Sequence, residues 1–248
     1  VNDKTVFDRM LSVKSASNVV RNEGDIDAGY KLADKVFETE YVDPYLAHAP
    51  IETHTALARF EGDKVTVWAA TQTPFGLQDG IVSTFGMPRE KVRVIAPFVG
   101  GGFGGKIALQ QGIEVARLAR LSGKPVMLVW TREEEFFYDT FHPAGVYRVK
   151  SGMDKDGKIK MWDYSVYYGG TRGSDTIYDV PHSRTSGFGQ KKGAPAIHPF
   201  GTGAWRAPGN NTNTFAREVQ IDIMAHKIGM DPLEFRLKNM NNQRAINS

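Results

Sequence analysis

Apolar residues recur every second position in several short runs of the chain and every third or fourth in a few longer ones. Asp25 to Tyr41 reads as a short helix running into a strand, with Val36, Thr39 and Tyr41 favouring the strand at its end. Thr55–Phe60 and Lys64–Ala70 alternate around Glu61-Gly62-Asp63, which predicts a hairpin. Gln72 to Phe85 reads as a loop entering a short helix, with Pro74 where a helix can begin. Residues 91–99 form a buried strand in this reading. Residues 108–121 form a helix with Leu109, Ile113, Ala116, Leu118 and Ala119 on one side and Gly123 as its stop. Pro125–Trp130 is a further buried strand, and Gly145–Ser151 pairs with Ile159–Tyr168 around Asp154-Lys155-Asp156-Gly157. Phe215–His226 and Pro232–Met240 are helices. Residues 1–24 show no regular pattern, and 169–213 read as one long Gly-rich loop, a length that marks function inside a compact protein. Hairpins interleaved with βα units place the chain in the α+β class, with mixed sheets.

Composition narrows the function classes. A net charge of +3 over 248 residues is too small to argue for a nucleic-acid or anionic-membrane partner, and the Lys191-Lys192 pair stands alone in a Gly-rich stretch. No apolar run approaches the roughly 20 residues of a membrane span, and no signal peptide opens the chain. The absence of cysteine excludes disulfides, thiolate zinc, Fe–S ligation and a cysteine nucleophile within this chain. The chain opens on Val1 and closes on a polar run, so it reads as a piece of something larger. Residues 1–29 are expected to be a leader from a preceding domain, 30–240 the domain proper, and 241–248 a linker.

The candidate chemistry centres on Val99-Gly100-Gly101-Gly102-Phe103-Gly104-Gly105-Lys106. Glycines strip side chains from the backbone and let its N–H groups approach a ligand. Gly100, Gly102 and Gly105 fit G-x-G-x-x-G between a strand and a helix, the layout of a dinucleotide-binding βαβ unit. Gly100, Gly105 and Lys106 half-fit a P-loop, but Ile107 stands where Ser or Thr must hold magnesium. A tight turn without a ligand is the third reading. Gln72, in Ala70-Thr71-Gln72, and Arg206, in Arg206-Ala207-Pro208-Gly209, add an amide and a forked cation on two further loops.

These segments, in this order, resemble the molybdenum-binding large subunit of the xanthine dehydrogenase/aldehyde oxidase family. His48-Ala49-Pro50-Ile51-Glu52 looks like the family's His-x-Pro-x-Glu segment, and Gly229-Met230-Asp231-Pro232-Leu233-Glu234-Phe235-Arg236 like its later helix. The likeness spans about residues 30–240 and implies half of a molybdopterin-binding domain. It implies a molybdenum–pterin cofactor, molybdopterin or its cytosine dinucleotide, held through dithiolene sulfurs rather than protein ligands. Gln72, Gly102, Phe103, Gly104 and Arg206 become the cofactor-binding residues, with the Gln72 amide and the Gly104 N–H aimed at an oxo group. The implied reaction is oxidative hydroxylation of an aldehyde or N-heterocycle with water. Fe–S and flavin (FAD) groups are expected only on partner subunits, and the remainder of the molybdenum subunit completes the site. The family's catalytic Glu has no match here, so the catalytic residue stays unassigned and the isolated chain is expected to be inactive. Ile107 and Pro208 depart from the purine-oxidising pattern and argue against xanthine. A cytoplasmic location is expected, with the periplasm as the alternative. The alternatives that remain are an NAD(P)-dependent oxidoreductase and a non-catalytic scaffold.

Other residues take plainer readings. Glu52 is read as a solvated or capping carboxylate, with loop orientation as its second role. His48 and His54 are spaced for neither a helical nor a strand metal pair, so no metal ligands are assigned. His142, His182 and His198 sit in loops beside prolines and are read as surface residues, with the lining of a channel as the alternative. Glu133-Glu134-Glu135 reads as a solvated helix start, and Phe136-Phe137-Tyr138 and Tyr164, Tyr167 and Tyr168 as core or as walls of a substrate funnel.

Overall fold

The structure is a computed structural model that describes residues 2, 5–189 and 196–242. In chain order its elements are α1 (Val6–Ser12), β1 (Ser17–Glu23), α2 (Ile26–Leu32), β2 (Lys35–Asp43), β3 (Thr55–Glu61), β4 (Lys64–Ala69), α3 (Pro74–Phe85) and β5 (Val92–Ile95). They continue with α4 (Gln110–Ser122), β6 (Val126–Val129), α5 (Arg132–Tyr138), β7 (Gly145–Met153), β8 (Ile159–Tyr167), β9 (His182–Phe188), α6 (Asn210–Lys227) and α7 (Pro232–Lys238). No helix among the described residues is long and apolar enough to cross a membrane.

The chain divides into two compact units: Val1–Tyr45 with Pro143–Pro199 and Ala207–Ser248, and Leu46–His142 with Phe200–Arg206. The first unit is a five-stranded sheet in the order β1-β9-β8-β7-β2. Inward residues of β7 and β8, among them Tyr147, Val149, Trp162 and Tyr164, form a core with Ile221, Met224 and Ala225 of α6 and Phe235 of α7. Val6 and Met10 of α1 pack in a separate cluster with Ala144, Val146 and Tyr168.

Two expectations change here. The stretch 1–24, read as irregular, holds α1 and β1, and β1 pairs antiparallel with β9. The stretch read as one loop, 169–213, holds β9, which pairs parallel with β8, and the start of α6. Both strands are rich in Ser, Thr, Asn and Arg, and Ser183, Thr185 and Ser186 lie buried. Without apolar alternation, small polar side chains conceal a strand. Of the tyrosines, Tyr164 and Tyr168 are buried as core. The Lys191-Lys192 pair, and the expected linker from residue 243 on, lie outside the described residues.

The second unit is a four-stranded sheet in the order β5-β4-β3-β6. Alternate residues Ala56, Ala58, Val65, Val67 and Ala69 face Leu77 and Ile81 of α3 and Val115, Ala116 and Ala119 of α4. Leu118, expected on this face of α4, is 40% exposed; the buried positions run through Gln111, Gly112 and Val115 instead. β4 and β5 are adjacent and parallel, joined through α3, and form the unit's true βαβ connection. α4 instead carries the chain from β5, at one edge, to β6 at the other, with β4 and β3 between them. The G-x-G-x-x-G tract therefore does not open the adjacent-strand crossover of a dinucleotide site. β5 is also shorter than the expected 91–99, because Pro97 has no N–H to continue an edge ladder.

This topology gathers loops. β3 is antiparallel to both β4 and β6, and Thr55 at its start lies opposite Val129 at the end of β6. The residues before β3 and those after β4, β5 and β6 therefore all emerge at one end of the sheet. Parallel strands commonly bind ligands beyond their carboxyl ends.

Candidate cofactor site

Four chain segments meet at that end, together with the returning loop Phe200–Arg206. The glycine tract is packed from every side by protein. A Cβ at Gly100 would lie 2.5 Å from the Glu52 Cβ, one at Gly102 2.5 Å from Gln72 Oε1, and one at Gly105 2.6 Å from Asp139 Oδ2. Gly104 has φ +114°, and a Cβ there would overlap the Ala204 carbonyl oxygen. Most of the tract's glycines thus answer to neighbouring side chains and one carbonyl, before any ligand is considered.

Glu52 fastens one end of the tract. Its Oε2 accepts the Gly100 N–H at 2.7 Å and the Lys106 ammonium at 2.8 Å, while its own N–H donates to the Gly100 carbonyl at 3.1 Å. Lys106 is wholly buried, so this carboxylate orients the loop, the second of its two expected roles. Burial opposes the Glu52 charge, but the Lys106 and Gly100 donors outweigh it and hold the carboxyl below its ordinary range.

Gln72 fastens the other end. Its N–H donates to the Lys106 carbonyl at 2.8 Å, and its Oε1 accepts the Gly104 N–H at 2.9 Å. The Gly104 N–H, expected to aim at a ligand, is spent on Gln72. Because an N–H points at the amide oxygen, the Gln72 NH2 faces away from the tract with its donors outward. The N–H groups of Gly101, Gly102 and Phe103 meet no acceptor among the described residues. Phe103 itself holds φ +52°, a conformation that costs a side-chain-bearing residue about 1 kcal/mol. The exposed Arg206 guanidinium lies 5.9 Å from the centre of its ring.

Beneath the tract lie two histidine–carboxylate pairs. His48 Nδ1 is 2.9 Å from Asp139 Oδ2, and His54 Nδ1 is 3.5 Å from Glu135 Oε2; all four side chains are buried. Glu135 lies in α5 and Asp139, four residues on, is its C-cap. The reading of α5 is inverted: Glu135 faces inward, while Phe136, Phe137 and Tyr138 are 45%, 79% and 54% exposed. Only Glu133 and Glu134 sit outside, and Glu134 closes a capping box with Thr131. His142, expected at the surface, is buried with its ring against Trp205. His54, Glu135 and Asp139 bring ligand-type atoms within 4.8 Å of one another. Their oxygens are committed to protein donors: Glu135 Oε2 to the His54 N–H, and Asp139 to the Thr140 N–H and His48.

Comparison with known proteins decides the family. Residues 12–240 match the family described as "Molybdopterin cofactor-binding domain". The chain belongs to the molybdopterin cofactor-binding domain family. This molybdopterin cofactor-binding domain is 32% identical over 225 residues to the aldehyde oxidoreductase molybdenum-binding subunit PaoC of Escherichia coli, covering 88% of this chain and 31% of that one. It is 27% identical over 252 residues to a nicotinate dehydrogenase chain of Pseudomonas putida, covering 92% and 21%. Its fold matches the aldehyde oxidoreductase of Desulfovibrio gigas with a TM-score of 0.77 at 25% identity, covering 92% of this chain and 26% of that one. Quinoline 2-oxidoreductase from Pseudomonas putida shares the fold with a TM-score of 0.81 at 22% identity, covering 92% and 31%. The domain thus spans about a third or less of these relatives' length.

The residues of this molybdopterin cofactor-binding domain fit such a group. The free N–H groups of 101–103, the outward Gln72 amide and the Arg206 guanidinium are donors without acceptors among the described residues, suited to oxo and phosphate oxygens. A group that brings its own sulfur ligands needs no cysteine from the chain, and the chain has none. The structure thus places Gln72, Gly102, Phe103, Gly104 and Arg206 together. Sequence reasoning missed His48, Asp139, Glu135 and Lys106. The i, i+4 spacing of Glu135 and Asp139 was the available signal, masked by three consecutive aromatics between them.

Proposed function

We propose that this domain forms one wall of the cofactor site of a molybdenum hydroxylase, an enzyme that oxidatively hydroxylates an aldehyde or an N-heterocycle with water. The observation that carries this reading is the donor-only surface at Gly101–Phe103, Gln72 and Arg206. The names of the relatives, an aldehyde oxidoreductase and a nicotinate dehydrogenase, support the substrate class. For an aldehyde the reaction balances as aldehyde plus water giving acid, two protons and two electrons. The bound molybdenum–pterin supplies the two-electron redox chemistry. The chain's own part is to hold and orient. Free backbone N–H groups and the Gln72 amide would hydrogen-bond the group's oxygens, and Arg206 would offset its negative charge. Glu52, Lys106 and Gln72 keep the tract in the shape that exposes those donors. No residue of this chain is assigned as the base; that Glu belongs to the remainder of the subunit. The electrons pass to an Fe–S partner and from there to flavin or another acceptor. The location we propose is the cytoplasm, with the periplasm as the alternative.

The test uses the complete protein with its partner subunits. Molybdenum by elemental analysis, pterin fluorescence after acid oxidation, and dye-coupled oxidation of aldehydes and of nicotinate are expected together. Gln72→Ala and Arg206→Ala are expected to lower molybdenum and pterin content. A complete protein that binds NAD(P)H and holds neither molybdenum nor pterin would overturn the reading.

A further inference from the structure

His48 faces acceptors at both ring nitrogens. Nδ1 lies 2.9 Å from Asp139 Oδ2, and Nε2 lies 2.8 Å from the Ala204 carbonyl oxygen. A carbonyl has no proton to give, and the second Asp139 oxygen accepts the Thr140 N–H at 2.7 Å. A neutral imidazole carries one N–H and can serve only one of these partners. Serving both takes two protons. Burial works against the charge, yet the Asp139 bond and the Ala204 carbonyl more than compensate and hold the ring's basicity above its ordinary value.

The Ala204 carbonyl is also the atom that a Cβ at Gly104 would strike, and that same Cβ would lie 3.3 Å from His48 Nε2. One ring therefore holds one carbonyl against the tract, and two residues on from Ala204 the chain presents Arg206 to Phe103. We propose that His48 is a positioning residue, a doubly protonated imidazole that clasps the Arg206-bearing loop to the glycine tract. If the ring loses one proton, a lone pair faces an oxygen on one side and that bond opens.

The surrounding charges leave Asp139 as its counterion. Lys106 is paired with Glu52, and Arg132 lies 3.4 Å from Glu135 Oε1, while Glu135 Oε2 also approaches His54. Since the folded His48 is the more basic, the clasp contributes fully below the unfolded histidine pKa and is lost as pH rises through the folded one. The functional consequence rests on the cofactor-wall reading; the clasp itself needs no cofactor to be measured.

Hydrogen exchange by mass spectrometry on the complete protein tests it, with rates corrected for intrinsic exchange. In wild type, peptides covering 99–107 and 200–206 are expected to keep joint protection above the ordinary histidine pKa of about 6.5. Asp139→Asn is expected to keep it at pH 6 and lose it by pH 8. His48→Gln is expected to lower protection of both peptides about tenfold or more at every pH where the wild-type clasp is closed, the scale of a hydrogen bond to a charged group. Unchanged protection of residues 55–69 reports that the fold stands. Should Asp139→Asn fail to fold, His48→Gln and an alkaline extension of the wild-type series carry the same comparison. Protection in Asp139→Asn that follows wild type to pH 8, or peptides that open independently, would overturn the proposal. A clasp that behaves as expected in a protein without molybdenum or pterin sinks the functional reading alone.

Discussion

Replacing Glu52 by Gln removes one charge and almost no volume. The Lys106 ammonium lies 2.8 Å from Glu52 Oε2, with the lysine side chain 0% and the glutamate side chain 31% exposed. At an effective dielectric of about 20 the gross attraction is about 6 kcal/mol. The amide returns part of it as a neutral hydrogen bond, and a third of the glutamate already faces water. Stranding the ammonium in Glu52→Gln should therefore cost about 3 kcal/mol, the lower end for a broken buried pair. Lys106→Met removes the buried charge and keeps the volume. The partly solvated carboxylate then keeps its Gly100 N–H and regains water, at a cost of about 1 kcal/mol. The double variant should match Lys106→Met rather than the sum. Urea unfolding followed by tryptophan fluorescence reads this out, since Trp68, Trp130 and Trp205 lie in the second unit. Equal costs for the two single variants, or additive costs in the double, would refute the asymmetry.

Gly104→Ala should cost about 3 kcal/mol or more, because it adds an overlap with the Ala204 carbonyl to the strain of φ +114°. Gly62→Ala, whose Cβ would meet nothing within 4 Å, should cost only about 1 kcal/mol of backbone strain in the same urea assay. The Glu52 carboxyl is held below its ordinary range, so its contribution is present above the unfolded pKa and lost as pH falls through the folded one. Acid titration of stability should accordingly show a limb below about pH 4.5 that Glu52→Gln/Lys106→Met lacks. Thr131→Ala, which opens the capping box of α5, should lower the unfolding midpoint by an amount equivalent to about 1 kcal/mol.

The second unit was largely legible, because its β3–β4 hairpin and its α3 start carry strong local signals in Gly62 and Pro74. The gathering of the five proposed cofactor-wall residues was legible too, since loops that recur in order give a firmer pattern than any one glycine motif. β1 and β9 escaped because β1 buries no residue and β9 buries Ser and Thr rather than Val and Ile, so their pairing depends on sheet neighbours distant in sequence. The inward acids of α5 escaped for a related reason. Three aromatics suggested a buried face, and the partners supplied by 48–54, distant in sequence, help make Glu135 and Asp139 acceptable inside.

The two ends of the second unit's sheet hold glycine for opposite reasons. Gly62, Gly86 and Gly123 terminate elements at the end away from the tract, with nothing within 4 Å of a would-be Cβ. Gly100, Gly102, Gly104 and Gly105 are hemmed in by side chains and a carbonyl. The far end is therefore the place to graft: an epitope, a fluorophore attachment site or a tether inserted at 62 or 123 would be carried on a turn that no site residue touches. Cloning junctions placed there should leave the donor surface intact, whereas a single methyl group in the tract should not.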